Sequence, residues 1–219
     1  MSKPPIIEPN QIRHALKVAA VTGQNPIRDV ALLTVFYSTG LTSNEVAKLL
    51  VSDYLTDSGK VRVDSEVRAE IAFNGKARPL IWANAKACAA IDDYLAYRLA
   101  ARHGVTARRA AFRGLDQDGP LFFTGDGAPF VFTKRVTGTG AVSYSCESLT
   151  EIVRRLHQQA GIENGNASAA RRTFAVRLHR DGRSLKVIQK LIGVSSLSAV
   201  KNQVEGDAVR LSTIVSGVI

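Results

Sequence analysis

The sequence predicts a mainly α-helical fold with a small antiparallel β-sheet, an α+β domain. Three observations predict it. Apolar residues recur at helical spacing in segments that open on capping residues and close on glycine. Between residues 61 and 82 the apolar period changes to two. The 219 residues are 45% hydrophobic and 22% charged, enough for one large core and unlike a disordered or collagen-like chain. The reading is a single domain over 1–219, with 200–219 as a C-terminal tail.

Asn10 opens the first helix, with Ile12, Ala15, Leu16, Ala19 and Ala20 on one face, and Gly23 ends it. Asn25-Pro26 starts a second, because proline suits the first helical turn. Its body, Ile27 to Ser38, is apolar on nearly all sides, which predicts the buried central helix, closed by Gly40. Thr42-Ser43-Asn44-Glu45 has the capping-box pattern, and Val46, Leu49 and Leu50 continue a third helix. Val61 and Val63, then Val67, Ala69, Ile71 and Phe73, alternate with polar residues. With the run Pro79 to Trp82 they predict two or three strands, turning near Asp64 and at Asn74-Gly75.

Asn84 to Ala101 reads as a long helix with Ala87, Ala90, Ile91, Tyr94, Leu95 and Leu99 inward. Residues 104–147 read as loops, with a short strand at Leu121–Phe123 and the glycine-rich run Thr137–Gly140. Ser148-Leu149-Thr150-Glu151 is a second capping box, heading a helix that stops at Gly161. Ser168 opens a helix ending at Gly182, and Ser184 one ending at Gly193. The tail from Val200 reads as helical, and STIVSGVI at its end is too apolar to hang free. It packs on its own core or bridges to another copy.

The formal net charge is +10, which attracts polyanions. Two Arg-dominated blocks carry the excess. Residues 98–113 hold five arginines and no acid; residues 171–190 hold five Arg and two Lys against Asp181 alone. Solvated helix faces would also look like this. Two such blocks in one small chain favour nucleic acid, because the guanidinium forks onto phosphate oxygens. The start MSKPPIIEPN lacks a signal-peptide pattern. The apolar run Val30 to Leu41 is too short for a bilayer, and Cys88 and Cys146 stand alone, so a cytoplasmic chain without disulfides is expected. His14, His103, His157 and His179 match no metal-ligand spacing and are expected on the surface. Neither metal nor cofactor is expected.

Four blocks in order resemble the catalytic domain of the tyrosine recombinases, the phage integrase family: FYSTGLTSNEVAKLLVSD (36–53), NGKARPLIW (74–82), SAARRTFAVRLHRDG (168–182) and VIQKLIGVSSLSAVKNQ (187–203). The resemblance covers roughly Asn10 to Val204. It implies that family's fold and a double-stranded DNA partner. It also implies a site in which two arginines hold the scissile phosphate, a tyrosine attacks it, and a hairpin lysine with His or Trp side chains assists. This chain departs at most of those positions. The first arginine reads Thr42, the histidine opening the third block Ser168, the later His/Trp Val194 and the nucleophile Gln203; the second arginine is kept, as Arg171. Lys76 fits either the hairpin lysine or a neighbouring outer one. Family members usually carry an N-terminal helical domain that completes a clamp around DNA. Here the matching part begins by residue 10, so a half clamp is expected.

A glutamine amide cannot form a phosphoryl-enzyme link, and a lost guanidinium forfeits charge stabilisation worth on the order of 10²–10³ in rate. The expectation is therefore a non-enzyme that binds duplex DNA, with Arg171, Arg172, Lys76, Arg78, Lys134, Arg135 and Lys201 as principal contacts and Ser168, Thr42 and Gln203 beside them. Its role would be transcription regulator or recombination accessory factor of a mobile element, plasmid or phage. Partners would be an active recombinase, the transcription machinery or, through the tail, a second copy. The alternative is a divergent recombinase or relaxase with a displaced nucleophile: Tyr54, Tyr144, or a serine such as Ser195, Ser196 or Ser198, none of which has an evident base nearby. Without the family, Thr42 reads as the N-cap partner of Glu45 and Ser168 as an N-cap that could also receive phosphate. Gln203 is either a solvated helix residue or a DNA contact, and Val194 apolar filling. Arg171, among Ala169, Ala170, Phe174 and Ala175, needs either an internal acid or a bound phosphate.

Overall fold

The computed structural model describes residues 3–107, 111–136, 138 and 140–205. Helix α1 (Pro9–Thr22) opens one residue before the expected Asn10, because Glu8 and Gln11 form a capping box. Helix α2 (Pro26–Thr39) is the central helix. Asn25 caps it by accepting from the Arg28 N–H, and Gly40, at φ 65°, ends it. It packs against α1, α5 (Ala85–Ala100), α6 (Glu147–Gln159) and α7 (Ala167–Arg180). Leu32, Leu33, Val35 and Phe36 are wholly buried there, as an all-round apolar helix requires. A satellite core of Ala175, Val176, Ile188, Ile192, Val200 and Val204 joins α7 to α8 (Leu185–Ile192) and α9 (Leu197–Val204).

Several expectations change. The third helix stops early. Helix α3 spans Ser43–Ala47, and α4 (Val51–Tyr54) restarts after Leu50. The cause is the loop at 117–121. Gly119 and Gln117 carbonyls accept from Val51 and Ser52, and Leu121 N–H donates to Leu49. That loop makes one bridge, Leu50 to Pro120, instead of the expected strand at Leu121–Phe123. The alternating run beyond Val67, through Ala69, Ile71 and Phe73, is not a strand either. Strand β1 is Asp64–Val67, paired antiparallel with β2 (Arg78–Ile81) in the register Asp64↔Ile81 to Val67↔Arg78. Arg68 forks onto Asp53 (3.0 and 3.1 Å) while its carbonyl accepts from Ile71 and Ala72, which turns the chain out of the sheet. A second hairpin, β3 (Thr133–Val136) with β4 (Val142–Ser145), lies in the region read as loops. Helix α6 starts at Glu147 behind Cys146, so Ser148 lies inside it. The tail's helix ends at Val204, and STIVSGVI lies outside the described residues.

Two buried side chains overturn surface expectations. Arg98, from the first basic block, is fully buried. It donates to the carbonyls of His103, Pro120 and Leu121 and lies 4.4 Å from the Phe123 ring centroid. Arg108 and Arg109 lie outside the described residues. His157, expected on the surface, is wholly buried. Its Nδ1 sits 2.7 Å from the Val153 carbonyl and its Nε2 2.6 Å from the Tyr37 hydroxyl. The carbonyl requires a proton on Nδ1, so Nε2 accepts from Tyr37. Burial pushes the imidazole below its ordinary value of 6.5, against the opposing Val153 carbonyl, and raises the Tyr37 phenol. A histidine held neutral in the fold but free to protonate when unfolded stabilises the protein above about pH 6.5 and loses that contribution as pH falls below it. Thermal melting from pH 7.5 to 5 should show Tm declining below about 6.5. His157→Gln should start lower and decline less; equal slopes would sink this assignment.

Candidate functional site

Three short segments meet where α2 ends, and glycine makes the meeting possible. Gly40 and Gly193 end α2 and α8 at φ 65° and 71°. A Cβ at Gly40 would stand 2.5 Å from the Phe174 ring, and one at Gly193 2.6 Å from Arg78 Cδ. Behind Gly40, Thr42 accepts from the Glu45 N–H, and the Glu45 carboxylate accepts from the Thr42 N–H at 2.8 Å, closing the capping box of α3. Glu45 is wholly buried and takes more. Its two oxygens receive both terminal nitrogens of Arg78 (2.6 and 2.8 Å) and the Phe73 N–H (3.1 Å). Burial alone would raise that carboxyl. The Arg78 guanidinium overrides it and holds the group below the usual carboxylate range.

Arg171 lies beside this pair and has no carboxylate partner among the described residues. It donates to the Gly40 carbonyl at 2.6 Å and to the Ile192 carbonyl, the ends of α2 and α8. Both ends carry negative partial charge, which suits a cation. Its guanidinium also lies 4.8 Å from the Phe73 ring centroid. Burial pulls it down to about 10, partly offset by the Glu45 charge, so it stays protonated at neutral pH. The internal acid named from the sequence is thus replaced, among the described residues, by carbonyls and an aromatic ring. Two of five N–H groups are so committed.

Arg171 lines a half-open cavity of about 490 Å³ with Thr42, Asn44, Phe73, Arg154 and Asn166. Thr150 and Ser168 also face it. Asn166, not Ser168, caps α7, accepting from the Ala169 N–H at 2.9 Å; Ser168 is exposed on the first turn. Asn44, Phe73, Arg154 and Asn166 were not singled out in the sequence. Asn166 had a signal, since a helix cap can stand one residue before the first small helical residue. Phe73 was hidden inside a strand pattern.

The other expected contacts divide. Arg78 is buried in its ion pair and also donates to the Leu191 carbonyl, so it is not a surface contact. Neither is Arg172: it is buried, donating to the carbonyls of Pro4, Gln203 and Glu205 at 2.5, 2.9 and 2.9 Å. Lys76 is exposed on the turn before β2, in a shallow groove with Lys186 and Lys190 of α8. Lys134 and Arg135 are exposed on β3, Arg135 paired with Glu147. Lys201 is exposed and Gln203 half-buried on α9; Val194 is half-buried against the satellite core. Tyr54 is in α4, wholly buried, and donates to Asp92 and the Cys88 carbonyl. Tyr144 is 54% exposed on β4. No group of His, Cys, Asp and Glu among the described residues could hold a metal, and no described helix is long and apolar enough to cross a membrane.

The buried Glu45–Arg78 pair holds this corner together. Glu45→Gln strands the guanidinium and should cost about 3–5 kcal/mol in urea unfolding. A loss under about 1 kcal/mol would show that the pair is not what holds α3 to β2.

The family described as the phage integrase family matches residues 5–205. The chain is 29% identical over 175 residues to tyrosine recombinase XerC of Thermodesulfovibrio yellowstonii, covering 80% of this chain and 48% of the relative. It is 25% identical over 202 residues to XerD of Bifidobacterium longum, covering 90% and 57%. The chain therefore spans about half the length of these curated relatives. Among solved structures, XerA recombinase superimposes with a TM-score of 0.69 at 21% identity, over 99% of this chain and 66% of that one. XerH recombinase bound to its palindromic difH substrate gives 0.65 at 18%, over 98% and 53%. The fold is that of a tyrosine-recombinase catalytic domain, and the chain belongs to the phage integrase family.

Proposed function

We propose that this protein binds duplex DNA through a tyrosine-recombinase-like domain that no longer cuts it. The supporting observation is the Arg171 cavity. It keeps a half-buried, protonated guanidinium with N–H groups to spare and adds the exposed Arg154, and the resemblance puts Thr42 and Gln203 where the family has an arginine and the nucleophile. Thr42 supplies a helix cap in place of an arginine. Gln203, which the resemblance puts at the nucleophile's position, offers an amide, and its backbone carbonyl is taken by Arg172. A phosphate at the cavity would be met by Arg171, Arg154 and the amides of Asn44 and Asn166, which bind charge but do not attack phosphorus. Several solved neighbours, XerH and the Tn1549 transposon integrase, are complexes with DNA, and the family membership carries that substrate class to this chain as part of the proposal. The role that follows is transcription control or assistance to an active recombinase on a mobile element.

Binding should weaken steeply with salt, with a log–log slope of about −0.9 per phosphate neutralised. Arg171→Ala should reduce both affinity and Tm, because Arg171 also bonds two helix ends. Arg154→Ala separates the two effects: affinity for a selected duplex should fall roughly five- to tenfold, the about 1–1.4 kcal/mol of one hydrogen bond at an exposed site, with Tm unchanged. Duplex binding indifferent to salt and to Arg154 would defeat the proposal.

One observation favours a second reading, an active enzyme with a displaced tyrosine. Asn44, on the cavity wall, donates to the Tyr144 carbonyl (2.7 Å) and accepts from the Cys146 N–H (2.8 Å), tying an exposed phenol's strand to the Arg171 site. Tyr54, buried and bonded, loses its candidacy. A duplex nicked near the binding site traps a covalent recombinase intermediate. We expect no denaturant-resistant adduct; an adduct that disappears in Tyr144→Phe would establish the enzyme instead.

A further inference from the structure

The β3–β4 hairpin is the most exposed regular element among the described residues. Thr133 to Val136 and Val142 to Tyr144 are all exposed, Val136 at 61% and Val142 at 52%. Opposed residues share a face and the faces alternate. The register Lys134↔Tyr144 and Val136↔Val142 puts those four on one face, and Thr133↔Ser145 and Arg135↔Ser143 on the other. The first face is thus an ammonium, a phenol and two branched apolar groups, all open to solvent. A free ribbon of this kind invites strand-to-strand aggregation unless something covers it.

Its chemistry selects the occupant. Residues 133–145 contain two cations, six hydroxyl-bearing side chains and no acid. Glu147, at the base, pairs with Arg135, while Lys134 has no ion-pair partner among the described residues. A two-stranded ribbon fits the major groove of B-DNA, about 12 Å wide. Lysine there reaches guanine O6 and N7, phenol and hydroxyls bond base edges, and branched apolar groups meet the thymine methyl. Position agrees. The Asn44 fork holds the root of β4 at the wall of the Arg171 cavity, so a duplex with a phosphate at that cavity lies against the ribbon.

We infer that the β3–β4 ribbon enters the major groove and reads base edges with Lys134 and Tyr144, while the cavity grips the backbone. The inference rests on the DNA-binding reading above and adds to it the element that supplies sequence preference. The experiment uses the full chain and a duplex selected from genomic fragments, with a scrambled duplex as reference. Methylation of guanine N7 marks major-groove contacts, and ethylation of phosphates marks backbone contacts. The double variant Lys134→Ala/Tyr144→Ala should lower the selected-to-scrambled affinity ratio about tenfold or more. It should lose methylation interference at the ribbon's contacts and keep ethylation interference. Its Tm should match wild type. Val136→Thr/Val142→Thr, which keeps strand propensity, should lose the ratio in part. An unchanged ratio and pattern overturns the ribbon's role and leaves DNA binding standing; so does a wild type that binds every duplex equally. Wild type that binds no duplex overturns both readings. A ribbon variant that changes only the oligomeric state in sedimentation, with the DNA pattern intact, assigns the face to a second copy and overturns the inference.

Discussion

The organisation of this corner depends on one saturated carboxylate. Both oxygens of Glu45 are fully engaged, by two guanidinium nitrogens of Arg78 and by the backbone N–H groups of Thr42 and Phe73. A carboxylate offers about four acceptor sites, so nothing remains for Arg171. That arginine must live on carbonyls and an aromatic face, which solvate it without neutralising it. The cavity therefore keeps a positive field in a partly dry wall, where electrostatic attraction is less screened than in water. Saturating one acid is what leaves the neighbouring cation available.

The groups that shape the site are separable from those that chemistry would need. Glu45, Arg78, Gly40 and Gly193 fix the geometry by ion pairing, helix termination and close approach. None of them needs a reactive partner to do so. Thr42 completes the same geometry through its hydroxyl, so an uncharged residue at that position leaves the helix start intact. The cavity's shape can thus persist when other positions around it change, because its stability comes from elsewhere.

Much of this was legible in the sequence, and the failures have physical causes. Helices with strong local signals read well: Asn25, Thr42 and Ser184 cap where expected, and Gly40 and Gly193 terminate. Helix-to-loop competition did not read. Leu49 and Leu50 continue a helical pattern, but a loop seventy residues later claims their backbone. The alternation of Val67 to Phe73 is real in composition and is defeated by one long-range fork, Arg68 on Asp53. At the site, Arg171 was readable because a cation in an apolar run demands partners. Arg78 and Arg172 were misread because a sequence shows charge and not the distant acceptors that bury it: Glu45 for one, the carbonyls of Pro4, Gln203 and Glu205 for the other.

The Arg172 guanidinium has a topological consequence. One planar group holds the backbone near the beginning of the described chain and near its end at the same time, and the Lys3 ammonium adds a 2.9 Å ion pair to the Glu205 side chain. The backbones at Pro4 and Glu205 therefore lie at one spot. A linker of a few residues from Glu205 to Lys3 would close the described segment without strain, and that segment, reopened in an exposed loop elsewhere, would keep the same core and the same cavity.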